Sequence, residues 1–303
     1  MKLAQKIFLF YYRNKFKALS LVSPAAAAKS AFELFTTPYT RRRTYTTPEI
    51  FKQAENLNFD FEGEKIQGFS WKAKTPNGHK ILICHGFDSF SYKFERFIEP
   101  LLAEGFNIFA FDAPAHGLST GKTINALLYS QLVLKVTDMY GPYYGIMAHS
   151  FGGIGVTLAI EKLRDKSPKK LVLIAPATET TRSINDFCRF LKISDRTRRE
   201  LEKIIVSIGG QQPEWYSVAR VIKSISIPTL WLHDKNDKIT PYEDMEYLTK
   251  LRLPHVEFVI TEGLGHSLYG DDKVANKIVE YLAMEKPNEE NGFKNLASIT
   301  AGR

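Results

Sequence analysis

Cysteine is scarce in this chain of 303 residues: Cys84 and Cys188 are the two. Two thiols cannot staple a small disulfide scaffold, and their scarcity points to a reducing compartment, so the expected location is the cytoplasm. Cys84 stands inside an apolar run and is expected to be an inert core thiol. No Cys and His cluster at metal-ligand spacing, so neither metal nor cofactor is expected. Long hydrophobic runs are also missing near the N-terminus. There Ile7 to Tyr12 is apolar and aromatic for only six residues before Arg13, Asn14 and Lys15 interrupt it. That is too short for a secretory signal or a membrane span. Acidic residues are nearly absent from the same stretch. Before Thr44, Lys2, Lys6, Arg13, Lys15, Lys17, Lys29, Arg41, Arg42 and Arg43 face Glu33 alone, which already equals the whole formal net charge of +8. The pI near 9.2 therefore describes an N-terminal arm, residues 1–43, and the rest of the chain is balanced. No nucleic-acid-binding motif accompanies this charge, and nucleic acid is not expected as a partner. Two readings of the arm stay open. It forms one or two helices packed on the remaining chain, with Ser23 as N-cap and Pro24 at the first helical position, or it is a basic, aromatic surface that meets anionic lipid peripherally.

The balance of the composition, 44% hydrophobic and 24% charged, is that of a soluble globular protein. The length permits one large α/β domain with an insertion. Leu57–Phe61 alternates apolar with polar, and Ile66–Trp71 follows across Glu62-Gly63-Glu64-Lys65, which predicts an opening antiparallel hairpin. Strands are then expected at 80–84, 106–111, 144–148, 171–175, 229–233 and 256–260, and helices at 92–104 and 124–140. From about Thr178 to Ser226 the alternation stops. Two or three helical patterns replace it, broken at Gly209-Gly210 and Pro213. The polar tail 285–303 is expected to fray.

Chemistry concentrates at four strand ends. Tyr144–Ala148 runs into His149-Ser150-Phe151-Gly152-Gly153, and Ile154–Leu163 continues at helical spacing. A serine on such a strand-to-helix turn is pushed into positive φ with its hydroxyl exposed. Small residues are needed two before and two after it, and Ala148 and Gly152 satisfy that. Upstream, Lys80–Cys84 ends in His85-Gly86-Phe87-Asp88, so the Phe87 and Phe151 amides are candidates to converge on one oxygen. Downstream, Thr229–His233 leads into Asp234 to Pro241, and Val256–Ile260 leads into Gly263-Leu264-Gly265-His266. The order is serine, aspartate, histidine.

From about Leu57 to Met284 these residues resemble an α/β hydrolase of the broad esterase, lipase and serine-aminopeptidase-like kind. Asp112-Ala113-Pro114-Ala115-His116-Gly117-Leu118-Ser119 is similar to the D-x-x-G-H-G-x-S stretch of that family, with Ala115 where glycine is usual. The elbow is A-x-S-x-G, a slightly degenerate form of the family motif. The resemblance implies a mostly parallel eight-stranded sheet flanked by helices. It implies a core at 44–177 and 227–284, with a small helical cap at 178–226 inserted after the sixth strand. It implies Ser150 as nucleophile, His266 as base and Asp237 as its acidic partner; the D-x-x-x-P spacing to Pro241 favours Asp237 over Asp234. His116 is expected to brace a loop, while His85, Phe90, His149 and Trp215 are candidates to line the substrate pocket. The expected activity is cleavage of a small carboxylic ester or thioester through an acyl-enzyme. Amide or peptide cleavage and acyl transfer use the same three groups and stay open, as does a binding protein that keeps the fold without catalysis. A serine at the elbow argues against the dehalogenase and epoxide-hydrolase branches, which place aspartate there.

Overall fold

The computed structural model describes residues 3–39, 46–251, 253–284 and 296–300. The chain divides into two compact units: Pro38–Thr178 with Val218–Arg303, and Met1–Thr37 with Glu179–Ser217.

The larger unit is built on a sheet with the order β1-β2-β4-β3-β5-β6-β7-β8-β9. Its strands are β1 Glu55–Phe61, β2 Glu64–Trp71, β3 Lys80–Cys84, β4 Asn107–Phe111, β5 Gly145–His149, β6 Lys170–Ile174, β7 Thr229–Asp234, β8 Val256–Glu262 and β9 Leu296–Thr300. The expected hairpin is β1–β2, turned by Glu62 and Gly63 at φ 51° and 77°, the two positive values that match the twist of paired strands. β2 also runs antiparallel to β4, and every later pairing is parallel. The eight expected strands are β1–β8. β9 extends them by one at the edge of β8, where Leu296–Thr300 covers backbone groups that β8 would otherwise leave unpaired; the rest of the tail expected to fray, 285–295 and 301–303, lies outside the described residues.

Strands buried on both faces explain the unbroken apolar runs: all residues of β5, β6 and β7 are buried. Helices α3 Glu49–Lys52, α4 Ile98–Ala103, α5 Ala126–Tyr140, α6 Phe151–Leu163, α9 Val218–Ile222, α10 Glu243–Thr249 and α11 Asp272–Ala283 belong to this unit. The helix expected at 92–104 is instead a 3₁₀ segment, Ser91–Phe97, followed by α4, with Phe94 off helical geometry at φ −109°. Pro100 is the cause to be read in the sequence. It has no N–H to donate and is tolerated only within a first turn, which here is that of α4. α5 begins two residues later than expected because the Asn125 side chain accepts the Leu128 N–H and caps it.

The smaller unit is helical: α1 Leu3–Val22, α2 Pro24–Thr36, α7 Thr180–Leu191 and α8 Asp195–Gly209, with a 3₁₀ turn at Pro213–Trp215. Ser23 caps α2 by accepting the Ala26 N–H, and Pro24 opens it, as the sequence predicts. The arm and the insertion are thus one unit. Leu9, Phe16, Ala31 and Leu191 pack together, as do Ala28, Ile184, Cys188 and Leu201. The insertion was expected to run to Ser226, but α9 belongs to the larger unit, where it packs on α6.

Candidate active site

Ser150 sits between β5 and α6 with φ 53° and ψ −122°. A non-glycine residue there carries strain of about 1–3 kcal/mol. The surrounding backbone holds it in place. Its N–H donates to the Ile174 carbonyl at 3.0 Å, and its carbonyl accepts from Gly153 at 2.9 Å and Ala177 at 3.0 Å. The turn is so tight that a Cβ on Gly152 would lie 2.5 Å from the His85 carbonyl oxygen. A Cβ on Gly86 would lie 2.9 Å from the Ser150 Cβ. Glycine at both places is therefore a steric requirement, and the loop after β3 reaches the serine because of it.

His266 comes from the 3₁₀ turn Gly265–Gly270 after β8, and Asp237 from the loop after β7. The structure brings them together with Ser150. Ser150 Oγ and His266 Nε2 are 2.9 Å apart, and His266 Nδ1 lies 2.8 Å from Asp237 Oδ2. The other Asp237 oxygen accepts the Ile239 and Thr240 N–H groups at 2.8 and 3.0 Å. Burial alone would raise the Asp237 pKa, but the hydrogen bond and charge of His266, with those two amides, hold it down at about 2. An ionised carboxylate at Oδ2 fixes the His266 tautomer: Nδ1 carries the proton and donates it, and Nε2 is left to accept from the Ser150 hydroxyl.

Asp234 does not reach His266. It accepts from the Thr261 hydroxyl at 2.6 Å and from the Leu264 and Asn236 N–H groups at 2.9 and 2.8 Å, tying together the loops after β7 and β8. Sequence reasoning missed Thr240. Its hydroxyl stands 2.8 Å from Asp237 Oδ2, 3.2 Å from His266 Nδ1 and 3.1 Å from the Ala175 carbonyl oxygen. Its place just before Pro241, in the acid loop, was the available signal.

Among the described residues neither the Phe87 nor the Phe151 N–H has a protein acceptor. Both rings are half-buried and meet edge to face at 5.6 Å. The four candidates for the pocket lining fall differently. His85 is buried and links two loops, since its Nε2 accepts the Ala113 N–H at 3.0 Å and its Nδ1 therefore donates to the Gly86 carbonyl at 2.7 Å. Phe90 is buried against Tyr92. His149 is buried beside His266, ring centroids 4.7 Å apart, and its Nε2 lies 3.0 Å from the His266 carbonyl oxygen. Its Nδ1 has no partner among the described residues. Trp215 belongs to the helical unit, where its ring meets Tyr216 edge to face.

Buried histidines around the loops are held neutral. Burial pushes His85 down to about 4, and burial with the neighbouring His85 or His266 charge pushes His116 and His149 to about 3. His116 braces a loop as expected, accepting the Asp88 N–H at 3.2 Å and lying 3.0 Å from the Pro114 carbonyl oxygen. Ala115, in the place of the family's glycine, takes the left-handed φ of 67° that a glycine adopts without strain. Among the described residues no group of three or more His, Cys, Asp or Glu is placed to hold a metal ion.

The model of the serine aminopeptidase family S33 matches residues 75–213. A Mycoplasma genitalium protein provisionally named esterase/lipase 2 is 24% identical over 233 residues, 66% of this chain and 86% of that protein. The pimeloyl-[acyl-carrier protein] methyl ester esterase of Nitrosomonas europaea is 24% identical over 237 residues, 64% of this chain and 90% of its own. Among solved structures, a Pyrococcus furiosus esterase superposes with a TM-score of 0.59 at 19% identity, covering 82% of this chain and 96% of the esterase. By its strand order, its elbow and these likenesses, the chain has the α/β-hydrolase fold.

Proposed function

We propose that the chain is a serine hydrolase that cleaves a carboxylic ester or thioester through an acyl-enzyme. The observation that carries this reading is the hydrogen-bonded series Ser150 Oγ, His266 Nε2, His266 Nδ1, Asp237 Oδ2, with both contacts below 3 Å. Serine is a weak nucleophile at neutral pH and needs a base in reach. As Oγ bonds to the substrate carbonyl carbon, its proton passes to His266 Nε2, and Asp237 stabilises the resulting imidazolium. The carbonyl oxygen gains the negative charge and is met by the Phe87 and Phe151 amides, each worth about 3 kcal/mol of barrier. Collapse breaks the bond to the alkoxide or thiolate, which takes the proton from Nε2. Water then attacks the acyl-enzyme with the same base, releasing the acid and restoring Ser150. The names of the relatives, two of them esterases, support an ester as substrate. The Phe87 and Phe151 rings beside the elbow favour an apolar acyl part.

The test is hydrolysis of p-nitrophenyl esters and acyl thioesters from acetyl to lauroyl, with Ser150→Ala beside the native chain. A rate that rises with acyl length and falls to background in Ser150→Ala supports the reading, and equal rates in the two proteins refute it. The match to the serine aminopeptidase family favours a second reading, amide cleavage by the same groups. Turnover of aminoacyl-p-nitroanilides at rates above those of the esters would place it first.

A further inference from the structure

Helix α1 turns a row of apolar side chains outward. Leu3 is 73% exposed, Ile7 60%, Phe10 73% and Leu21 83%, whereas Leu9 and Phe16 on the opposite face are buried. At 3.6 residues per turn the four exposed positions share one face with Tyr11 and Ala18. Lys6, Arg13 and Lys17 flank that face on one side and Lys15 on the other, and α1 holds no acidic residue. A surface helix ordinarily buries its apolar stripe and exposes its charge, so an outward stripe of this length marks an interaction surface.

Beside the stripe lies a groove of about 560 Å³ within the helical unit, lined by Lys6, Arg13, Lys17 and Lys192 together with Leu9 and Phe10. Among the described residues no carboxylate pairs with Lys6, Lys17 or Lys192. Arg13 is partly engaged, donating from Nε and Nη2 to the Phe190 carbonyl oxygen at 3.1 and 2.7 Å. The groove thus brings cationic and apolar side chains together, which suits a ligand with an anionic headgroup and an acyl chain.

We propose that this face of α1 docks on an anionic lipid bilayer, Leu3, Ile7, Phe10 and Leu21 entering the boundary between headgroups and chains while Lys6, Arg13, Lys17 and Lys192 meet lipid phosphates. Charge complementarity selects this occupant. A second copy of the chain would bring like charges together with no acidic residue on α1 to pair them. Among the described residues no helix is long and apolar enough to cross a membrane, so α1 lies in the interface rather than spanning it. The inference goes beyond the reaction proposed above and does not depend on it.

The experiment is co-sedimentation of the full chain with phosphatidylcholine vesicles, with and without about 30 mol% phosphatidylglycerol, because each cation near an anionic surface contributes about fivefold in partitioning. The native chain is expected to sediment with the anionic vesicles at low salt and to be largely released at about 1 M salt, where the screening length is about 3 Å. Lys6→Gln with Lys17→Gln should lower partitioning about 25-fold, the square of that factor. Phe10→Ser with Leu21→Ser should lower it at both salt concentrations. Far-ultraviolet circular dichroism confirms that these exposed substitutions leave the fold intact. The proposal is overturned if the native chain stays in the supernatant with anionic vesicles at low salt, or if binding is unchanged in the lysine variant. It is also overturned by a native dimer that Phe10→Ser with Leu21→Ser converts to monomer, which would assign the face to a second copy.

Discussion

Replacing Asp237 by asparagine keeps the shape of the side chain and changes one atom, so its consequence can be worked out from the contacts. Oδ1 accepts two backbone N–H groups, from Ile239 and Thr240, and neither can turn away. Oδ2 accepts from His266 Nδ1 and from the Thr240 hydroxyl, and both of these can adapt: the hydroxyl rotates and the imidazole changes tautomer. The new NH₂ group therefore takes the Oδ2 position and donates to His266 Nδ1. That leaves the imidazole proton on Nε2, pointing at Ser150, and in the proposed mechanism the serine then has no base. Enforcing the wrong tautomer costs about 10⁴ in kcat, or about 5 kcal/mol of barrier. Stability falls as well. Asp237 titrates at about 2 instead of its ordinary 3.8, which contributes about 2 kcal/mol to folding above pH ~4. That contribution is lost as the pH falls through about 2, and the asparagine never has it. The assay is steady-state hydrolysis of a p-nitrophenyl ester, with urea unfolding in parallel and imidazole ¹⁵N shifts to report the tautomer. Asp234→Asn is the control. Asp234 binds Thr261, Leu264 and Asn236 and never touches His266, so that variant should lose about 1–3 kcal/mol of stability while keeping most of kcat. An Asp237→Asn enzyme within tenfold of native kcat, or an Asp234→Asn enzyme that loses more, would refute this assignment of the acid.

Other consequences are open to direct measurement. His85, His116 and His149 titrate at about 4, 3 and 3 when folded and near 6.5 when unfolded, so the unfolded chain binds more protons between those limits. Stability should fall as the pH drops below about 6.5, by up to about 4 kcal/mol per pH unit around pH 5, and urea midpoints that stay flat from pH 7 to 5 would contradict the burial argument. A Cβ on Gly117 would lie 2.1 Å from Asp112 Oδ2 at φ +49°, so Gly117→Ala should break the Asp112 contacts to Ser91 and Leu118. Its expected cost exceeds about 3 kcal/mol, and a thermal midpoint within experimental error of native would refute that. Ala115→Gly should be close to neutral in the same measurement, because relief of strain at φ 67°, about 1 kcal/mol, offsets about 0.8 kcal/mol of lost methyl burial.

Much of the site was legible because its chemistry is tied to strand ends. A serine between small residues, a glycine after β3 and an aspartate four residues before Pro241 each announce a local backbone geometry, and the structure puts Ser150, His266 and Asp237 within hydrogen-bond distance. The cap of α2 was legible for the same reason, since Ser23 and Pro24 act within one turn. Non-local features were not. That α1 and α2 pack with α7 and α8 rests on pairings such as Leu9 with Leu191 and Ala28 with Leu201, which no local pattern encodes. The break at Ser91–Phe97 was hidden by an apolar spacing that looks helical, although Pro100 stood in plain sight. His85 and Phe90, named as pocket lining from their nearness in sequence to the elbow and the loop after β3, are buried, and His85 bonds to two loop backbones. Aromatic and imidazole rings near an elbow serve loop bracing as readily as substrate contact.

Covalent labelling with a fluorophosphonate asks whether Ser150 is an activated nucleophile. The native chain and Ser150→Ala are treated with a fluorophosphonate, and intact and peptide masses are measured. A single adduct on the peptide containing Ser150, absent from the variant and slowed in His266→Ala, is the predicted result. A folded native chain that takes no label, or takes it at another residue, would contradict the account.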